Sequence, residues 1–195
     1  MARPQEFDTE QALNQAIELF WKNGYERTSL NDLLKHMHIR RSSFYNAFGD
    51  KRGLFIQALD KYMKVANDDF IVDTLRRNSS GLEGIQQVFR RLVDILATDA
   101  EYKGCLMVNT QIEVARTDAA IKQMIGLSLD RIHDALYDAL ERAQAAGEIR
   151  PDVELEATSK FLISTIISLR VMGRYTNNHQ DFYQVARVAL SLLKQ

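Results

Sequence analysis

Between Arg40 and Asn46 the chain reads R-R-S-S-F-Y-N, a run of side chains suited to gripping duplex DNA. An arginine such as Arg40 or Arg41 can donate two hydrogen bonds to a guanine edge, and Ser42 and Ser43 can bond to several base edges or to phosphates. Short polar side chains, Asn46 among them, let a helix backbone come close to the bases. Tyr45 holds a hydroxyl on a long arm, suited to a phosphate oxygen, and such a contact fixes register rather than reading sequence.

These residues need a short helix to display them and a second helix to brace it. Ser29 is a helix N-cap with Asp32 three positions on, a capping box. Leu30, Leu33, Leu34 and Met37 then form one apolar face over two turns. The pattern breaks at His38-Ile39, and a second short helix begins near Arg40 and runs to about Ala47 around buried Phe44 and Phe48. Asp50 caps a third, longer helix from Lys51-Arg52. Two short helices joined by a tight turn, the second rich in Arg and Ser, make a helix-turn-helix reader whose second helix fits the major groove.

The surrounding sequence supplies supports. Asp8 and Gln11 form a second capping box, with Phe7 stapled onto Ala12. That helix runs to about Asn23 with Ala12, Leu13, Ala16, Ile17 and Phe20 on its apolar face, and Gly24 ends it. Residues 1–50 are therefore expected to form a three-helix module with its own core. The helix from Lys51 has no breaker before the N-S-S-G loop at 78–81, so it is expected to run to about Arg77 as a rigid lever with the domain boundary along it. Further helices are expected over about 82–98, 102–115, 118–146, 153–175 and 182–194. The helix over 153–175 is apolar nearly all round, the mark of burial on every side. It and the last helix are expected to pack against the same pair of a second subunit. The expectation is an all-α chain, with residues 1–50 as the DNA-binding module and 51–195 as a helical effector-binding and dimerisation domain.

Composition narrows the class of function. The 195 residues carry a formal net charge of -1 and are 46% hydrophobic, unlike a protein that grips nucleic acid over its whole surface. The positive charge is local, at Arg27, Lys35, Arg40, Arg41, Lys51 and Arg52, which fits a binder that must let go. No run of about 18 apolar residues suggests a membrane span, and the first residues lack the apolar core of a secretion signal. One Cys cannot form an internal disulfide. The chain reads as intracellular, most simply of the bacterial cytoplasm. His36 and His38 lie two apart and do not share a helix face, so no metal is expected. There is no Gly-rich phosphate loop, nucleophile elbow or paired acid/base carboxylate. Neither an enzyme nor a cofactor is expected.

The stretch T-S-L-N-D-L-L-K-H-M-H-I-R-R-S-S-F-Y-N-A-F-G-D-K-R-G-L-F resembles the N-terminal signature of TetR-family transcriptional repressors. Thr28, Ser29, Leu33, Ile39, Ser43, Phe44, Tyr45, Phe48, Lys51 and Leu54 fall on matching positions. His38 stands where the family usually has a turn Gly, Arg40 in place of a Ser N-cap, Ser42 in place of a common Gly, and Arg52 in place of an acidic residue. The resemblance implies DNA contacts at Thr28, Ser29, Arg40, Arg41, Ser42, Ser43, Tyr45, Asn46 and Lys51. The segment K-G-C-L-M-V-N resembles one in a subset of such regulators, some of which sense oxidants or electrophiles through a Cys placed like Cys105. Lys103 and a nearby helix N-terminus would favour its thiolate. Its alternative role is a small buried hydrophobe.

The function expected is a ligand- or stress-responsive regulator, a repressor by family analogy. It would bind a pseudo-palindromic operator as a homodimer, with half-sites roughly 34–36 Å apart, and would release it when an effector shifts the lever. Candidate pocket residues are Tyr62, Met63 and Phe70 on the lever, Cys105, Met107 and Gln111 beyond it, and Phe161 and Thr165 on the apolar helix. The competing reading is an all-helical interaction or adaptor protein with a vestigial DNA reader.

Overall fold

The computed structural model describes residues 7–193, which are helices and connecting turns with no strand among them. Helix α1 spans Thr9–Asn23, and the Asp8 carboxylate accepts from Glu10 N and Gln11 N at its start. Helix α2, Leu30–His36, opens on the full Ser29/Asp32 capping box. The chain then turns at His38, whose φ of 53° is left-handed. His tolerates that region better than most residues, so the turn forms without glycine. Helix α3 is Arg41–Phe48, with Arg40 as its N-cap residue. Helix α4, Lys51–Met63, is capped by Asp50, which accepts from Gly53 N at 2.7 Å.

The lever differs from the uniform helix expected. It continues without interruption, but Lys64–Val72 is π-helical before α5, Asp73–Arg77. Wide turns of this kind arise where a side chain enters the backbone ladder. Here Arg170 donates to the carbonyl of Ala66 at 3.1 Å.

Helix α6 is Gly81–Ala97 and α7 is Leu106–Glu113. Residues 102–105, expected to be helical, are not. Tyr102 and Gly104 have φ of 53° and 63°, and the Asp99 carboxylate accepts from Lys103 N and Gly104 N. That side chain offers the backbone a turn in place of a helix. Helix α8 is Ala119–Ala145, α9 is Leu155–Met172 and α10 is His179–Ser191.

Two cores form. One joins α5, α6, the C-terminal half of α8, α9 and α10 through residues such as Phe89, Leu136, Leu162 and Phe182. The other holds the reader, but not the reader alone. Phe20, Leu33, Phe44 and Phe55 share it with Met107, Val108, Ile121 and Ile125 of α7 and α8. The first fifty residues thus lack the separate core expected of them. Three short helices enclose too little volume, and α4 and α7 complete it. Helix α9 is covered by its own chain on one side. It buries Leu162, Ile166 and Leu169 in its own chain and leaves Phe161 and Val171 open.

Candidate nucleic-acid interface and the cavity behind it

Helix α3 packs Phe44 and Phe48 inward. That orientation turns Arg41, Ser42, Tyr45 and Asn46 outward, with Ser43 half-buried at the edge. Tyr45 is 46% exposed and its ring stands edge-on to Phe44, which aims the hydroxyl away from the core. Arg41 donates to Asn31 Oδ1 at 2.8 Å. This one neutral bond orients the guanidinium across the α2–α3 groove and leaves donors for another partner. Arg40 and Arg41 form no ion pair among the described residues.

Three residues assigned to DNA by resemblance are committed elsewhere. Thr28 is fully buried, and its hydroxyl donates to Gly24 O at 2.6 Å. The Ser29 hydroxyl is spent on Asp32, as donor and as cap acceptor. The Lys51 ammonium donates to Tyr25 O and Thr28 O, both at 3.0 Å, and lies over the Tyr25 ring. Together they hold the α1–α2 turn and so position α3.

Behind the reader lies a cavity of about 510 Å³. Its wall takes Ile17 and Trp21 from α1, Tyr62 from α4, Phe70 from the π-helical segment, Leu92 and Leu96 from α6, Cys105, and Arg170 from α9. Of the eight residues proposed for a pocket, Tyr62, Phe70 and Cys105 line it. Met63 and Met107 lie in the reader core. Gln111 is on the surface by the start of α8, and Phe161 and Thr165 line an outer groove between α9 and α10. Helical spacing gives a face, but only tertiary packing decides which of two faces a cavity meets.

Cys105 is 2% exposed and is the N-cap residue of α7. Lys103, expected to activate it, instead pairs with Glu101 at 3.1 Å and lies over the Trp21 ring. Beside the thiol, the Tyr62 phenol is pushed well above its ordinary pKa, first by burial and then by Cys105, with Arg170 acting in the opposite sense.

Reasoning from sequence missed Arg170 and Asn67. Both are buried, and Arg170 donates to Asn67 Oδ1 at 3.0 Å. Asn67 in turn donates to Ser128 Oγ at 2.9 Å. The signal was present: Arg170 is the one charge in the apolar run from Phe161 to Met172.

The cavity and the reader touch directly. Trp21 Nε1 donates to Gly104 O at 3.2 Å, and Lys22 pairs with Glu101 at 3.0 Å. The Glu113 carboxylate, at the end of α7, accepts from Tyr25 N and Glu26 N at 3.1 and 3.0 Å. A Cβ at Gly24 would meet that carboxylate at 2.8 Å, and its φ of 85° already favours glycine. Arg52 makes two bonds to Asp118 at 2.6 and 3.0 Å. The Asp118 carboxyl is lowered to about 2, chiefly by this hydrogen-bonded arginine.

Comparison with known proteins agrees with this geometry. Residues 12–58 match the model of the bacterial regulatory proteins of the tetR family, and residues 81–189 match a tetracyclin repressor-like C-terminal domain. The chain is 33% identical over 99% of its length to the uncharacterized HTH-type transcriptional regulator YezE of Bacillus subtilis, all of which is covered. It is 26% identical over 97% of its length to the HTH-type transcriptional repressor ComR of Escherichia coli, 90% of which is covered. A cysteine mutant of the TetR family regulator CifR, solved with a 26-base-pair operator, is 28% identical with a TM-score of 0.85, covering 97% of this chain and 98% of that one. The chain belongs to the TetR family of helix-turn-helix transcriptional regulators, DNA-binding factors that are not enzymes.

Proposed function

We propose that the chain is a repressor that binds a pseudo-palindromic operator as a homodimer and releases it when an effector fills the cavity behind the reader. Arg40, Arg41, Ser42, Ser43, Tyr45 and Asn46 supply the DNA contacts, with Arg41 the main base reader. Thr28, Ser29 and Lys51 act by holding the turn. The likeness to ComR and to operator-bound CifR supports repression and operator binding. A DNA partner and a family of bacterial regulatory proteins support a place in the bacterial cytoplasm. Dimerisation is supported by the outer face of α9 and α10, where Phe161, Val171, Val188 and Leu192 stand open to solvent. An apolar face of this kind marks an interface.

One observation carries the regulatory part: the cavity wall includes Ile17 and Trp21 of the reader's own α1. A molecule that enters bears directly on α1 and on the Trp21–Gly104 bond. It changes the setting of one reader against its twin, so the two half-sites no longer fit together. A small electrophile that reaches Cys105 through the same cavity would act in the same way.

A mobility shift on DNA from the protein's own upstream region tests this, with and without a thiol-alkylating reagent. Retardation that depends on Arg41 supports the reader. Release by the reagent, absent in Cys105→Ser, supports the cavity as the control point. Absence of retardation at every salt concentration contradicts the reading.

A further inference from the structure

The cavity's inner end holds a positive charge without a negative partner. Arg170 is 4% exposed. Its guanidinium donates to Asn67 Oδ1 at 3.0 Å and to Ala66 O at 3.1 Å, both neutral acceptors. No carboxylate of the described residues pairs with it. Asn67 is itself held by bonds to Ser128 Oγ and Met107 Sδ. The guanidinium is therefore fixed in place, with two of its five N–H groups engaged, and its charge is uncompensated where water is scarce. Burying a cation among neutral partners is costly, and guanidinium tolerates it best because it is weakly hydrated and always charged.

The rest of the lining says what would meet that charge. Most of the wall is apolar, from Ile17, Trp21, Val65, Leu92, Ile95 and Leu96. The charged lining residues are Lys61, Arg91 and Arg170 against Asp69. Lys61 is already paired with Glu10, and Arg91 lies over the Phe70 ring and donates to Thr74. Arg170 is thus the cation at the apolar end that lacks a charged or aromatic partner of its own. A cationic ligand would be repelled by it, and a polyanion would lose its hydration against the apolar wall. The volume, about 510 Å³, suits a small organic ligand.

We infer that the cavity binds a monocarboxylate with an apolar body, its carboxylate bonded to Arg170 and its body lying between Trp21 of α1 and the α6 wall. This names the effector class for the site proposed above and rests on that reading for its regulatory consequence, though not for binding. A carboxylate takes up the remaining guanidinium donors in charge-assisted bonds. The body of the ligand fills the space beside Trp21, and so reaches the reader.

Trp21 is the chain's single tryptophan, so its emission reports this cavity alone. The test is a titration of the full chain at neutral pH with decanoate and, separately, with decanamide, its neutral counterpart of like shape. Decanoate is expected to change Trp21 emission with an affinity roughly tenfold or more above that of the amide. Arg170→Met, checked for a native melting transition, is expected to bind acid and amide alike. Equal affinity of the wild type for both, or no response to either up to about 1 mM, overturns the inference, and this comparison needs no variant. A mobility shift run beside it separates the two readings. Operator binding without a decanoate response removes the carboxylate and leaves the regulator. A decanoate response without operator binding at any salt leaves the pocket chemistry and removes the regulator.

Discussion

Arg41 and Arg170 are the same side chain in opposite settings. Arg41 stands on the outer face of α3 with one neutral bond to Asn31. Arg170 is almost wholly buried and ties α9 to the π-helical segment through Asn67 and Ala66. The first is cheap to hold and unfinished, so a phosphate or base can complete it. The second is costly to hold, and its immediate partners fix it without neutralising it. On the reading proposed above, the two ends of the molecule present one cation to operator DNA and one to a small apolar anion. The α1–α2 turn lies between them, clamped by Lys51 on one side and Glu113 on the other.

The contrast can be broken at either end. Arg41→Ala is expected to have the largest effect. It should cost about 1–3 kcal/mol of operator affinity at each half-site, twice over in a dimer, and should leave stability within about 0.5 kcal/mol. Anisotropy titrations and thermal melts measure the two quantities. Asn67→Ala should do the reverse. It removes a partner from a buried cation and from Ser128, and should lower unfolding free energy by about 2–4 kcal/mol, read by urea denaturation. At temperatures where the variant is folded, operator affinity should be retained. A variant that loses DNA binding as Arg41→Ala does would blur the contrast.

Glu113→Ala sharpens it. Tyr25 N and Glu26 N lose their acceptor, and exposed amides regain water, so stability should fall by only about 1 kcal/mol. Filling the cavity should then release operator less well, because coupling of the usual 1–3 kcal/mol runs through that clamp. Dose-response curves for release by decanoate or an alkylating reagent, in variant and wild type, give the difference.

The smallest effect is at Asp118. Its folded carboxyl is lowered to about 2 by Arg52, so its contribution to stability is complete above the ordinary carboxylate range and is lost as pH falls through the folded value. The melting difference between wild type and Asp118→Asn should stay constant from about pH 7 to about pH 5 and narrow below that.

The reader was largely legible in the sequence because its signals are local. The Ser29/Asp32 box, the Asp50 cap and the inward Phe44 and Phe48 all depend on neighbours within a few positions. The resemblance that assigned Arg41 to DNA assigned Thr28 and Lys51 too, but nothing local shows that Lys51 turns back to carbonyls more than twenty residues away. The cavity was legible only in part for the same reason. Tyr62, Phe70 and Cys105 line it, yet Met63 one residue along faces the reader core. Nothing local marks Asn67 as the partner of Arg170, 103 positions distant.

The operator reader is tested most directly by salt-titrated DNA binding of wild type and Arg41→Ala on the upstream DNA. The wild type should bind in low salt and lose affinity linearly in log–log form as salt rises. Arg41→Ala should be weaker by about thirtyfold or more at every salt. Equal affinities for the two proteins, or no binding by the wild type at any salt, would contradict the account and favour a helical adaptor.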